Sequence, residues 1–180
     1  MPRSSTVLRL LLGAIGVGAM PAAAGAQQIP AACRPLVEAE LKAISTPHHM
    51  YETKADGRSG QDPIAEVITA GGVTYVKAGG KWMRSPISLQ AQIDQVNRNI
   101  ATTKVYTCQR VGSETVAGMP ATVYTLHTEN ADTKADARAW IGTGNGLMLK
   151  MDESVDAIGI KSHYLIRYEY ANVQAPAGVK

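Results

Sequence analysis

The sequence predicts an α+β domain in which a strongly curved antiparallel sheet forms an open half-barrel, with two helices. Apolar residues alternate with polar ones in about nine or ten short segments, and two other segments repeat their apolar residues at helical spacing. Short connections with turn-forming residues join the alternating segments, and such connections require antiparallel neighbours. A sheet of that size must curl, so we expect one helix to cover its concave face.

Residues 1–26 have the three parts of a secretory signal. Arg3 and Arg9 give a basic start, residues 7–17 are apolar, and small residues lead up to Ala26. We therefore expect cleavage after Ala26 and a periplasmic protein. The apolar stretch is interrupted by glycines and is too short for a membrane span, so residues 27–180 should form one domain without stable membrane insertion.

Cys33 and Cys108 are the two cysteines of the chain. In an exported protein they allow one intramolecular disulfide, which would tie the first helix to the sheet and contribute on the order of 4 kcal/mol by chain entropy. The alternative is a lipidated Cys33, although Gln27 and Gln28 separate it from the apolar stretch of the signal. The spacing is not Cys-x-x-Cys, which argues against a dithiol redox catalyst.

The first elements after the signal are a helix and four strands. Val37, Leu41 and Ile44 have helical spacing and predict a helix over residues 32–45, which ends before Pro47. A strand at 48–54 and a polar loop at 56–63 come next. Paired glycines then separate three strands at 64–70, 73–78 and 81–84.

The second helix has the clearer pattern. Ser85 is expected to be its N-cap and Pro86 its first residue. Four apolar residues recur at i, i+4, i+7 and i+11, namely Leu89, Ile93, Val96 and Ile100. The opposite side of this helix is polar, so we expect the apolar stripe to lie on the concave face of the sheet.

Further alternating segments occupy the second half of the chain, at residues 104–111, 114–117, 121–128, 137–142, 147–153 and 160–170. Gly112-Ser113 and Asn145-Gly146 are expected to be turns between them. In the last strand Ile166 and Tyr168 point to one face and Arg167 to the other, so one face should be covered and one solvated. Residues 171–180 should form a surface tail.

Two hairpin segments resemble those of the LolA and RseB superfamily. They are residues 115–124, TVAGMPATVY, and residues 140–150, WIGTGNGLMLK. The resemblance extends roughly over residues 64–152, and is closer to small exported proteins of this fold whose function is not known than to the carriers themselves. It implies a periplasmic half-barrel with helices in its concavity, and its best-known members carry lipoprotein acyl chains or sense exported lipoproteins.

The sequence contains no motif of a known catalytic site. His-Glu-x-x-His, Gly-x-Ser-x-Gly and P-loop patterns are all missing, so we expect neither an enzyme nor a cofactor. A metal site would need His127 and His163 to approach His48 or His49, with Glu52 completing it. We interpret the histidines as surface or hydrogen-bonded residues and expect no metal. Charges are scattered without basic runs, so nucleic acid is not expected as a partner either.

Two functions from different classes remain open. The first is a periplasmic binding protein that holds a lipid or a lipoprotein acyl chain in an apolar concavity. Its candidate lining residues are apolar side chains of the second helix and the sheet: Trp82, Leu89, Ile93, Val96, Trp140, Leu149, Ile166 and Tyr168. The second is a solidly packed envelope interaction or regulatory module with no small-molecule ligand, whose protein partner the sequence does not identify.

Overall fold

The structure is a computed structural model, and it describes residues 29–55 and 62–179. The expected signal at residues 1–26 and most of the loop expected at 56–63 lie outside the described residues. After a 3-10 turn at Ala31–Cys33, the described elements in chain order are α1 (Arg34–Ser45), β1 (His48–Lys54), β2 (Ala65–Ala70), β3 (Val73–Ala78), β4 (Lys81–Arg84), α2 (Leu89–Thr102), β5 (Val105–Val116), β6 (Met119–Glu129), β7 (Thr133–Gly142), β8 (Met148–Ala157) and β9 (Ile160–Glu169).

All of the described strands belong to one antiparallel sheet with the order β4-β3-β2-β1-β9-β8-β7-β6-β5. The last strand of the chain, β9, pairs with the first, β1, and this pairing joins an N-terminal meander to a C-terminal one. The edge strands β4 and β5 are not paired with each other, so the sheet is open. The predicted class, an open half-barrel of antiparallel strands with two helices, is confirmed.

One predicted turn proves to be part of a strand. β5 runs through Gly112-Ser113 without a break, and its pairing with β6 shifts by one residue between Arg110 and Gly112. This is a β-bulge, which takes up an extra residue and lets a glycine-containing strand continue. Two of the predicted strands are therefore one.

The start of α2 and the connection before β8 also differ from the prediction. The N-cap is Ser88, whose Oγ accepts from the Ala91 N–H at 3.1 Å, so Ser85 and Pro86 precede the helix. Asn145-Gly146 is not a two-residue hairpin turn, because the Gly142 N–H donates to the Leu147 carbonyl at 2.9 Å and closes a longer loop. The paired-glycine turns are confirmed, with positive φ at both residues of each pair.

The buried interior consists of two clusters on opposite sides of the sheet. In the first, Leu36, Ala39 and Ala43 of α1 pack on the sheet, chiefly on Ala139 and Met148. The second lies on the other side, where it surrounds Trp140. We predicted that α2 would cover the sheet, but the helix in the buried cluster is α1, because its small alanines allow close approach to the strands.

The Cys33–Cys108 disulfide is formed, with a Cα–Cα distance of 5.1 Å. Cys33 is completely buried. The bond joins the residue that precedes α1 to the edge strand β5, as the sequence predicted. Within the described residues, neither helix has the length and apolar character that crossing a bilayer requires.

Candidate functional site

Strand register defines which residues share a face of the sheet, because directly paired residues of antiparallel strands point the same way. One row crosses from β9 to β4 and consists of Tyr168, Met50, Val67, Val76 and Met83. Tyr168 packs against the cluster that contains α1, so this row lies on the same side as that helix. We call this face the helix side and the opposite face the outer face.

α1 covers only part of the helix side. It buries the region over β7 and β8, where Ala139 and Met148 have almost no exposed area. Towards β4 the same face is less covered: Met50, Val67 and Val76 are half-buried, and Met83 is 47% exposed. Apolar surface therefore extends beyond the reach of α1.

α2 contacts this side of the sheet near its first turn. The Gln92 side chain donates from Nε2 to Thr74 Oγ1 at 3.0 Å, and Thr74 belongs to the helix side of β3. Of its apolar stripe only Val96 is buried, whereas Leu89 and Ile93 are half-buried. We use the name helix-side groove for five half-buried apolar residues, which are Met50, Val67 and Val76 on the helix side of the sheet and Leu89 and Ile93 on α2.

The eight predicted lining residues are divided between the two faces. Five lie on the helix side or on α2, namely Leu89, Ile93, Val96, Ile166 and Tyr168. A continuous row of paired residues places Trp82 and Trp140 on the outer face, and Leu149 packs with Trp140. These three residues do not line the helix-side groove. Alternation within one strand divides its residues between two faces of the sheet. Only the register between neighbouring strands shows which of these residues lie on the same face as residues of another strand.

On the outer face the tryptophans have protein partners of their own. The indole N–H of Trp140 donates to Glu114 at 2.7 Å, and Lys150 Nζ stands 4.4 Å from the ring centroid. Lys77 Nζ lies 5.8 Å from the Trp82 ring, and Trp82 also meets His49 edge-on. These are cation–π and polar contacts that hold the rings in place.

Three glutamates face the helix side, and this was not predicted. Glu52 pairs with Ile166, Glu153 pairs with Tyr164, and Glu40 lies on the side of α1 that carries Leu36 and Ala43. Among the described residues, no side-chain hydrogen bond or ion pair is found for the carboxyl group of Glu40, Glu52 or Glu153, although the Glu52 backbone carbonyl accepts from the Ile64 N–H at 2.8 Å. For Glu52 the sequence contained the signal, since it follows Met50 by two residues in the same strand and so must share its face.

The surroundings of these carboxyl groups disfavour their charged form. Burial, with a smaller contribution from the charge of Glu153, raises the pKa of Glu40 to about 7. Burial and the charge of Glu52 raise the pKa of Glu153, and burial raises that of Glu52. Solvent nevertheless reaches Glu40, which is exposed by surface area although protein atoms crowd its carboxyl group. The helix side is therefore acidic and only partly desolvated beside α1.

Two open depressions occur elsewhere on the described surface. The first, about 480 Å³, lies on the outer face of β5 to β8, and its lining includes Gln109, His127, Asp136 and Arg138. The second, about 430 Å³, lies between the β2–β3 turn and the segment that leads into α2. Both are open, and neither lies under α1.

Each histidine has a protein partner. His48 is buried and bonds through Nδ1 to the Thr46 carbonyl, and burial lowers its pKa. His127 bonds Asp136 at 2.8 Å, and His163 bonds Asp152. Both lie on the outer face, whereas Glu52 lies on the helix side, so the metal site considered from the sequence does not form. In the part of the chain that the structure describes, no three His, Cys, Asp or Glu side chains are placed to hold a metal ion.

The open antiparallel sheet of nine described strands with two helices is the architecture that the resemblance to the LolA and RseB superfamily implied. No protein-family model and no curated protein sequence matches the chain. Among solved structures it is similar to the lipoprotein LppX of Mycobacterium tuberculosis, with 13% identity and a TM-score of 0.49 over 83% of this chain and all of that one.

Two further structures are similar to it. One is MucB in complex with MucA, with 17% identity and a TM-score of 0.39. The match covers 81% of this chain and 60% of the MucB chain. A putative lipoprotein-sorting protein domain from Vibrio parahaemolyticus has 8% identity and a TM-score of 0.21, over 81% of this chain and 93% of that one.

Proposed function

We propose that this chain is an exported, non-enzymatic binding protein of the periplasm that holds an acyl chain of a lipid or lipoprotein in the helix-side groove. The observation that supports it is incomplete burial on both walls of that groove. Val67 and Val76 on the sheet are half-buried, as are Leu89 and Ile93 on α2. A helix packed directly on a sheet would bury such residues, so the exposed apolar area is available to a flexible apolar ligand.

The three glutamates indicate what kind of acyl ligand fits. Glu40, Glu52 and Glu153 place carboxyl groups on the helix side, where burial already disfavours their negative charge and raises the pKa of each. A free fatty acid would bring another carboxylate into this partly desolvated region, which costs Coulomb energy. The proposed ligand therefore has its acyl chain on a neutral group, as in an acylglycerol or the thioether-linked diacylglycerol of a lipoprotein.

The experiment is native mass spectrometry of the protein recovered from the periplasm of an expressing bacterium, followed by thermal unfolding with monoolein and with oleate. We expect a lipid-sized adduct, and a larger rise in Tm with monoolein than with oleate. The variant Ile93→Trp fills the groove and should abolish both effects. Asn97→Trp is the matched control, because Asn97 is exposed on the same helix. A protein without adduct and without stabilisation by either compound contradicts the proposal.

The second candidate, an envelope interaction module without a small-molecule ligand, is favoured by the packing under α1. Leu36, Ala39, Ala43 and Met148 are each at most 4% exposed, which leaves no space there for a ligand. In that case Ile93→Trp would leave the protein's binding to envelope partners unchanged, and the adduct would be missing from the wild type as well.

A further inference from the structure

The β8–β9 hairpin ends in a turn whose residues do not suit its conformation. Four described hairpins have two-residue turns in which both residues have positive φ: Gly71-Gly72, Gly79-Gly80, Ala117-Gly118 and Ile158-Gly159. Such turns favour Asn, Asp or Gly at the first position. Ile158 has φ +55°, and a β-branched residue at positive φ is a strained exception.

The same turn exposes its apolar side chains. Ile158 is 84% exposed and Ile160 67% exposed, the two highest values among the large apolar residues described. Ile158 is both strained and exposed, so a smaller or polar residue would serve folding better at this position. The combination indicates that the side chain is kept for a contact outside the molecule.

We propose that the Ile158–Ile160 tip is a membrane-docking point, which inserts shallowly and reversibly into the interface of a lipid bilayer. The surface area of two side chains on a convex tip is far smaller than the roughly 800 Å² per partner that a stable protein interface needs. A bilayer interface, in contrast, accepts a small apolar projection of this shape, with binding strength that scales with the apolar area inserted.

The backbone of the tip is suited to such an environment. The Ile158 N–H donates to the Asp132 carbonyl at 3.0 Å, and the Gly159 N–H donates to Asp156 Oδ1 at 2.9 Å. Both amide donors of the turn are therefore satisfied inside the protein, so they do not lose hydrogen bonds to water when the tip leaves it. Lys161 is exposed beside the tip and can remain at the level of the headgroups.

The tip is also continuous with the helix side. Side chains alternate along β9, so Ile160 shares a face with Tyr164, Ile166 and Tyr168. A protein docked by this tip would hold the end of its helix side against the bilayer. The docking itself does not depend on what the groove binds.

The test is binding to vesicles of phosphatidylethanolamine and phosphatidylglycerol, measured by co-sedimentation. The protein used is the exported form, whose intact mass shows that residues 1–26 have been removed. The double variant Ile158→Asn/Ile160→Thr should bind at least about tenfold more weakly, a difference of about 1.4 kcal/mol. Ile158→Asn alone should bind more weakly while its Tm rises, because asparagine suits the turn. A merely structural role would couple weaker binding to a lower Tm.

The matched control is Ala117→Asn, which makes the same change at the same position of another two-residue turn, where φ is +48°. It should leave vesicle binding unchanged. The proposal is overturned if the wild type does not bind the vesicles, if the double variant binds as well as the wild type, or if Ala117→Asn weakens binding equally.

Discussion

Replacing Glu40 by glutamine should stabilise the protein at neutral and alkaline pH but not at acidic pH. Burial and Glu153 raise the pKa of Glu40 from 4.5 to about 7 in the folded protein. The folded state therefore binds the proton more tightly than the unfolded chain. The stability associated with the protonated carboxyl group is fully present below about pH 4.5 and is lost as the pH rises through about 7.

The magnitude follows from the size of the pKa shift and from solvent access. A shift of this size corresponds to about 3 kcal/mol for a group that is fully desolvated. Glu40 is exposed by surface area, so solvent screening reduces the expected gain to about 1 kcal/mol. Glutamine cannot ionise, so Glu40→Gln should recover that amount at about pH 8 and change little at about pH 4.

The assay is urea unfolding of the wild type and of Glu40→Gln across this pH range. Glu38→Gln is the matched control, because Glu38 is exposed on the same helix and carries the same charge. If Glu40→Gln shifts stability equally at both ends of the pH range, or if Glu38→Gln reproduces its effect, the argument that Glu40 is held in an unfavourable environment is refuted.

Other parts of the fold allow shorter predictions. Replacing both Cys33 and Cys108 by alanine should lower the unfolding free energy by about 2 to 4 kcal/mol, and reduction of the wild type should reproduce the loss in the same urea titration. Leu36→Ala should cost about 2 to 4 kcal/mol because Leu36 of α1 is 3% exposed where the helix packs on the sheet, and a cost near zero would show that α1 is not packed there. Trp140→Phe should cost about 1 kcal/mol by removing the indole donor, since Glu114 is exposed and keeps its ion pair with Arg138, and Glu114→Gln should lessen the difference.

The fold could be predicted from the sequence because its determinants are local. Paired glycines such as Gly71-Gly72 form tight turns, and the repeat of Leu89, Ile93 and Val96 requires a helix whatever it packs on. The disulfide followed from the number of cysteines and the expected export. The ends of the strands were predicted less exactly. Gly112-Ser113 could form either a turn or a bulge, and only its pairing with β6 decides between the two.

The candidate site was predicted less well because it depends on register between distant strands. Trp82 and Trp140 are placed on the same outer face by a row of paired residues that crosses the seven strands from β4 to β7, and no single strand shows this. The identity of the covering helix also depends on fit. Ala39 and Ala43 let α1 approach β7 closely, whereas hydrophobic spacing alone favoured α2.

The two helices should differ in their local stability, and this difference bears on how the groove opens. α1 is fixed by the disulfide next to its first residue and by four buried side chains, whereas α2 has one buried side chain, Val96. Local opening free energy increases with buried contacts, so amides of Leu89–Thr102 should exchange with deuterium at least about tenfold faster than those of Arg34–Ser45. If α2 is the movable wall, monoolein should slow exchange in α2 and leave α1 unchanged. Equal protection of both helices in the free protein would mean that α2 is firmly packed, and the helix-side groove would then be closed to a ligand.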